Sequence, residues 1–189
     1  EAREWFERAQ RLNPAIYEAH HNLGLLFERE GRYPEAMDCY RRALEIAPSR
    51  ADAHTSLAGV LRECGLIEEA VHHYRQAIAH DPRHAAAWYH LGEACKLAGQ
   101  FDEATECYDR ALTLEPRDSR TLGSLVHMRQ NTCDWNRIET LWERVRRAAV
   151  AGGQASLSPF SALSMPTSAA AQLALTTAWA AGRFSIYSA

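Results

Sequence analysis

Nine histidines and five cysteines are the side chains of this sequence best suited to holding a metal, carrying a proton or attacking a substrate. Such chemistry needs several of them in one place. His20–His21 and His72–His73 are adjacent pairs, and neighbours along a helix point to different faces. His80 and His84 have a helical ligand spacing, but Pro82 between them breaks the helix that would align them. Cys39, Cys64, Cys95, Cys107 and Cys133 are odd in number, and no two stand as C-x-x-C. Cys39, His73 and Cys107 recur at one spacing, yet helices pack about 8–10 Å apart, too far for a disulfide or a shared ion. The expectation is therefore surface histidines and reduced thiols of a cytoplasmic protein. The acidic pairs Glu68–Glu69 and Asp102–Glu103 suit helix starts, where each carboxylate is worth a few tenths of about 1 kcal/mol. There is no strand, Gly-rich loop and helix in sequence to cradle a diphosphate. No catalytic, cofactor-binding or metal residue is assigned within these 189 residues.

What remains is the framework, and a period organises it. Pro14, Pro48, Pro82 and Pro116 stand at a constant 34-residue step, as do Ala9, Ala43, Ala77 and Ala111. Leu23, Leu57, Leu91 and Leu125 keep the step, with Gly31, Gly65 and Gly99 and the aromatic series Phe6, Tyr40, Tyr74 and Tyr108. Within a period, "AWYHLGEACKLAG" and "FDEATECYDRALTLEP" each carry apolar residues at helical spacing, giving two amphipathic helices. Gly99 ends the first helix in the left-handed region, and Pro116 stops the second. Gly92, Ala104 and Ala111 let helices approach closely, while Leu91 and Tyr108 fill the space between them. One such hairpin cannot bury its apolar face alone, so neighbours must stack.

Trp88-x-x-Leu91-Gly92-x-x-Cys95, then Ala104-x-x-x-Tyr108 and Pro116, resembles the tetratricopeptide signature W-x2-L-G-x2-Y…A-x3-F…P. The resemblance covers residues 1–132 and implies an all-α superhelical solenoid of antiparallel helix pairs. The expected organisation is a half repeat over 1–16, full repeats over 17–50, 51–84 and 85–118, and a degenerate repeat from 119. In the last, Val126 replaces the small residue and Cys133-Asp134-Trp135 stands where the glycine is expected. A junction helix over 133–151, "WNRIETLWERVRRAAV" with its flanks, then leads to a Gly/Ser/Pro-rich linker and a short uncharged helix over 152–189.

Cys133-Asp134-Trp135, Ser158-Pro159-Phe160 and Met165-Pro166 are similar to the junction in bacterial O-GlcNAc-transferase-like (SPINDLY-type) proteins, where repeats give way to the transferase. The resemblance implies a substrate-recruiting arm for an enzyme that moves a sugar from UDP-GlcNAc to Ser or Thr. That family's donor site and catalytic histidine lie in downstream lobes, so UDP-GlcNAc would be a cofactor only of such a following region. The first residues, "EAREWFERAQ", lack a signal-peptide core and read as mid-helix, so the chain is expected to begin inside a longer protein.

By phase, the first helix of each repeat lines a concave face. The positions expected to meet a ligand are His21, Asn22 and Leu25, then Thr55 and Ser56, then Tyr89, His90 and Glu93, with Glu18, Asp52, Gly59, Ala86, Arg120, Ser124 and His127 beside them. Short polar groups with one aromatic suit an extended peptide backbone. The transferases use an asparagine ladder here; only Asn22 matches it, with Ser56, His90 and Ser124 at the equivalent places. The expected partners are proteins or extended peptides. Net charge −3 argues against nucleic acid, and no apolar run of about eighteen residues is available to cross a membrane. A free-standing scaffold or adaptor is the alternative function, and exposed repeat ends would allow self-association.

Overall fold

The computed structural model describes residues 5, 6, 8, 12–132, 141 and 143. Seven helices with defined bounds fall among them, and no strand: α1 Tyr17–Arg29, α2 Tyr33–Ile46, α3 Ala51–Glu63, α4 Ile67–His80, α5 Ala85–Leu97, α6 Phe101–Leu114 and α7 Ser119–Asn131. The chain divides into two units, Glu1–Gln100 and Phe101–Ala189. Of the junction helix of the sequence analysis only Leu141 and Glu143 are described, both helical, and the linker and the last helix lie outside the described residues.

In the first unit α1 pairs with α2 and α3 with α4, and α3 and α5 each pack onto the preceding hairpin. The helices start and stop where the period places them. Gly31, Gly65 and Gly99 have φ of 72°, 79° and 76°, the left-handed conformation that costs glycine least. Each closes a double cap: the amide after the glycine bonds the carbonyl five residues earlier, as in Arg32 N–H to Phe27 O at 2.8 Å, Leu66 to Leu61 at 2.9 Å and Gln100 to Cys95 at 2.9 Å. Ala47 and Asp81, each before a proline, leave the helical region with ψ of 81° and 91°.

The recurring residues form the core. Leu23, Leu57 and Leu91 are buried, as are Ala36, Ala43, Ala70 and Ala77, and Tyr40 and Tyr74 are almost wholly enclosed. Burying a large aromatic ring is worth roughly 2–3 kcal/mol, so these two tyrosines are the principal anchors of their hairpins. Gly24 is required by this packing, because a Cβ there would lie 2.6 Å from Tyr40 Cε1. Tyr17, Ala43 and Ala53 join consecutive repeats, with Leu44 and Ala47 at the edge and the Arg50 guanidinium 4.3 Å from the Tyr17 ring centre.

The second unit shows α6 packed on α7. Ala104, Tyr108, Ala111, Leu125 and Val126 are buried in it, so the valine that replaces the small residue is accommodated inside. Asp118 caps α7, accepting from the Arg120 and Thr121 amides, and Arg129, nearly fully buried, donates to Asp109 Oδ2 at 2.6 Å.

Candidate functional site

All eight residues expected to meet a ligand, His21, Asn22, Leu25, Thr55, Ser56, Tyr89, His90 and Glu93, lie in the first unit on α1, α3 and α5, and all eight are half-buried. Half-burial follows from the period: the positions one or two residues before Leu23, Leu57 and Leu91, and two residues after, are neither core nor outer surface.

Two of the repeats meet directly along this stripe. His21 Nε2 lies 3.3 Å from Ser56 Oγ, a contact between α1 and α3. The His21 ring stacks on Tyr17, with centroids 5.5 Å apart, and tilts against Tyr40 at 5.6 Å. Burial lowers its pKa, so the imidazole stays neutral at pH 7 and can both donate and accept. The Tyr40 hydroxyl donates to Glu28 Oε2 at 2.6 Å, tying the core ring to the polar stripe. On α5, His90 stacks on Tyr74 of α4 at 5.9 Å and meets Tyr89 edge-on at 5.1 Å. Glu93 pairs with Lys96 Nζ at 2.7 Å. Thr55, by contrast, turns its hydroxyl to the Ala51 carbonyl of its own helix at 2.8 Å. His21 and His90 are therefore held against tyrosines and serve as fixed surfaces, whereas Asn22 and Leu25 are governed by their half-exposed positions alone.

Two features escaped the sequence reading. The first is a joint that recurs between repeats. His20 Nε2 lies 2.9 Å from the Pro14 carbonyl, His54 Nε2 3.0 Å from that of Pro48, and Trp88 Nε1 donates to that of Pro82 at 3.0 Å. These three rings share one repeat position, and each reaches back six residues to the proline that ended the previous helix. An indole can only donate, and a carbonyl can only accept, which fixes the role of the imidazoles. The signal was present: Trp88 opens the signature, and a ring bearing an N–H recurs at its spacing. The second is the Arg50 guanidinium clamped on Asp52, with Nη2 to Oδ2 at 3.0 Å, beside the Tyr17 ring. Burial alone would raise Asp52, but its bonds to Arg50 and Tyr17 hold it low, at about 2.

The histidines also depart from the expected surface role. His54 is buried and His73 half-buried, with Nδ1 atoms 3.1 Å apart, although His72 and His80 are exposed as their phase requires. Cys39, Cys64, Cys95 and Cys107 form no disulfide, and burial pushes Cys39 up to about 11, well away from reactivity at neutral pH. Among the described residues no group of three or more His, Cys, Asp or Glu is placed to hold a metal ion, and no helix is long and apolar enough to cross a membrane.

A tetratricopeptide repeat model matches residues 17–50 and 85–118, and a further TPR repeat model matches 58–97, together just over half of the chain. No curated protein matches it. Solved structures resemble it in fold. MamA from Desulfovibrio magneticus RS-1, from residue 41 to its end, is 21% identical over 77% of this chain and 80% of its own, with TM-score 0.67. The first TPR of Spaghetti (RPAP3), bound to the HSP90 peptide SRMEEVD, is 23% identical over 62% of this chain and 93% of its own, with TM-score 0.61. YrrB, a TPR protein with an unusual peptide-binding site, is 16% identical over 75% of this chain and 73% of its own, with TM-score 0.63. With its core period buried, its helices paired in hairpin order and its repeats matched in phase, the chain belongs to the tetratricopeptide repeat family.

Proposed function

We propose that the chain is a protein-interaction module that binds an extended peptide or protein segment along the stripe formed by α1, α3 and α5. The observation that carries this reading is the stripe itself: eight half-buried side chains on three first helices, with two imidazoles held rigid against tyrosines. Such a surface loses little side-chain entropy on binding, and its amide, hydroxyl and imidazole groups match the alternating donors and acceptors of a peptide backbone. Spaghetti bound to its HSP90 peptide, and YrrB with its peptide-binding site, support the same use of the fold. The test is a titration with a pool of extended peptides. Replacing Asn22 and His90 together by Ala should weaken binding at least about tenfold, because two anchoring contacts of about 1 kcal/mol each are removed. Unchanged affinity would overturn the assignment.

We further propose that this module recruits acceptor segments for an O-GlcNAc-transferase-like enzyme. The support is the order of Cys133-Asp134-Trp135, Ser158-Pro159-Phe160 and Met165-Pro166 after the repeats. UDP-GlcNAc would then be bound by a transferase region following residue 189, with none of the residues described above involved in catalysis. Sequencing the uninterrupted reading frame tests this: a pair of nucleotide-binding lobes downstream supports it, and a stop codon close after Ala189 leaves the chain a free-standing adaptor.

A further inference from the structure

The repeat joint offers a contrast between two neighbouring positions. At Trp88 the donor to the proline carbonyl is an indole, which does not titrate. At His54 the same bond is made by an imidazole. Because Nε2 of His54 carries the proton that Pro48 accepts, its Nδ1 in the neutral ring presents a lone pair. Nδ1 of His73, on α4, lies 3.1 Å from that atom, and so must be the donor. The His54–His73 contact is thus one hydrogen bond whose polarity is set by the joint.

We propose that the His54–His73 pair is an acid-labile clasp within the second hairpin, closed while at least one ring is neutral and opened when both are protonated. When both rings are imidazolium neither keeps a lone pair, so the Nδ1–H of His54 would face the Nδ1–H of His73 at the same short distance, and the hydrogen bond would become a repulsion. Nothing nearby compensates. His54 stacks on His80 with centroids 5.6 Å apart, and His73 meets His72 at 5.4 Å, so the groups of α4 that face the pair can only add positive charge. Arg41 of α2 acts on His73 in the same direction. On α5, His90 meets α4 through Tyr74.

Burial, then His54, His72 and Arg41, hold the His73 pKa down at about 4, and burial lowers that of His54 as well. Depressed folded-state values mean the unfolded chain binds protons first. The clasp therefore contributes fully above the ordinary histidine value of 6.5, and its contribution is lost as pH falls from there towards about 4.

The test compares the whole chain with His73→Phe by urea unfolding at about pH 7.5 and about pH 5. The parent folding equilibrium should fall by about tenfold more than that of the variant over this interval, a figure reduced for the partial exposure of His73. Equal pH dependence would overturn the clasp. Should His73→Phe fail to fold, imidazole nitrogen spectra of the parent decide the matter. The proposal requires the proton of His54 on Nε2 at neutral pH and both rings titrating below 6.5. A proton on Nδ1, or titration at the ordinary value, would refute it.

Discussion

The close approach of α1 and α2 predicts that one substitution has opposite effects at two glycines in first helices. A Cβ at Gly24 would stand 2.6, 2.8 and 3.0 Å from Cε1, Cδ1 and Cζ of Tyr40. That ring cannot retreat cheaply: it is fully buried, its hydroxyl is bound to Glu28, and His21 lies against it. Overpacking of this kind costs about 1–3 kcal/mol, against a gain of about 1 kcal/mol for replacing glycine by alanine within a helix. With the ring pinned the clash wins, and Gly24→Ala should lose up to about 2 kcal/mol. At Gly59 the nearest atom to an added Cβ is the Tyr74 hydroxyl at 3.8 Å, an ordinary contact. Gly59→Ala should therefore gain about 0.5–1 kcal/mol. Urea unfolding followed by circular dichroism, with midpoint and slope both fitted, reads the two changes. Equal signs, or a Gly24→Ala protein as stable as the parent, would show that the Tyr40 ring is not seated against α1 as described. The equivalent position in the next repeat is Ala58, itself buried, so the experiment tests the seating of one ring and not a general rule of the repeat.

Three further outcomes follow from the same geometry. Tyr40→Phe keeps the ring but removes the donor to Glu28, and should cost about 1 kcal/mol in thermal or urea unfolding. Asp52→Asn should cost at most about 1 kcal/mol at neutral pH, because the Arg50 pair is half-exposed, and should flatten the acid limb of stability. The sign follows from its low carboxyl: stabilisation present above the ordinary 3.8 is lost as pH falls towards about 2, so parent and variant should converge there in an acid titration. Asp109→Ala removes the carboxylate bound to the nearly enclosed Arg129 and should destabilise the second unit by about 1–2 kcal/mol, seen as earlier loss of amide protection in α6 and α7.

The period was legible because packing repeats it. Leu57, Ala77 and Tyr74 recur because each fills the same space in successive hairpins, so self-similarity alone marked them as core and placed Gly31, Gly65 and Gly99 at helix ends. What broke the period was not legible. The His54–His73 contact joins helices across a hairpin, and its residues sit nineteen positions apart, where the neighbouring repeats have His20 with Cys39 and Trp88 with Cys107. Arg50, Asp52 and Tyr17 meet only because consecutive repeats stack, and a list of spacings carries no information on that joint. The stripe was located in sequence by phase, yet the pinning of His21 and His90 against tyrosines required the tertiary pairing of α1 with α2 and of α4 with α5.

The central claim is that an extended segment lies along the first helices of the first unit. Backbone amide shifts of the labelled chain, followed while a binding peptide from the pool is added, measure it most directly. The account predicts that the largest changes cluster around His21, Asn22 and Leu25, Thr55 and Ser56, and Tyr89, His90 and Glu93. Changes concentrated on the outer helices, around Asp38, Arg42 and Glu69, would contradict it.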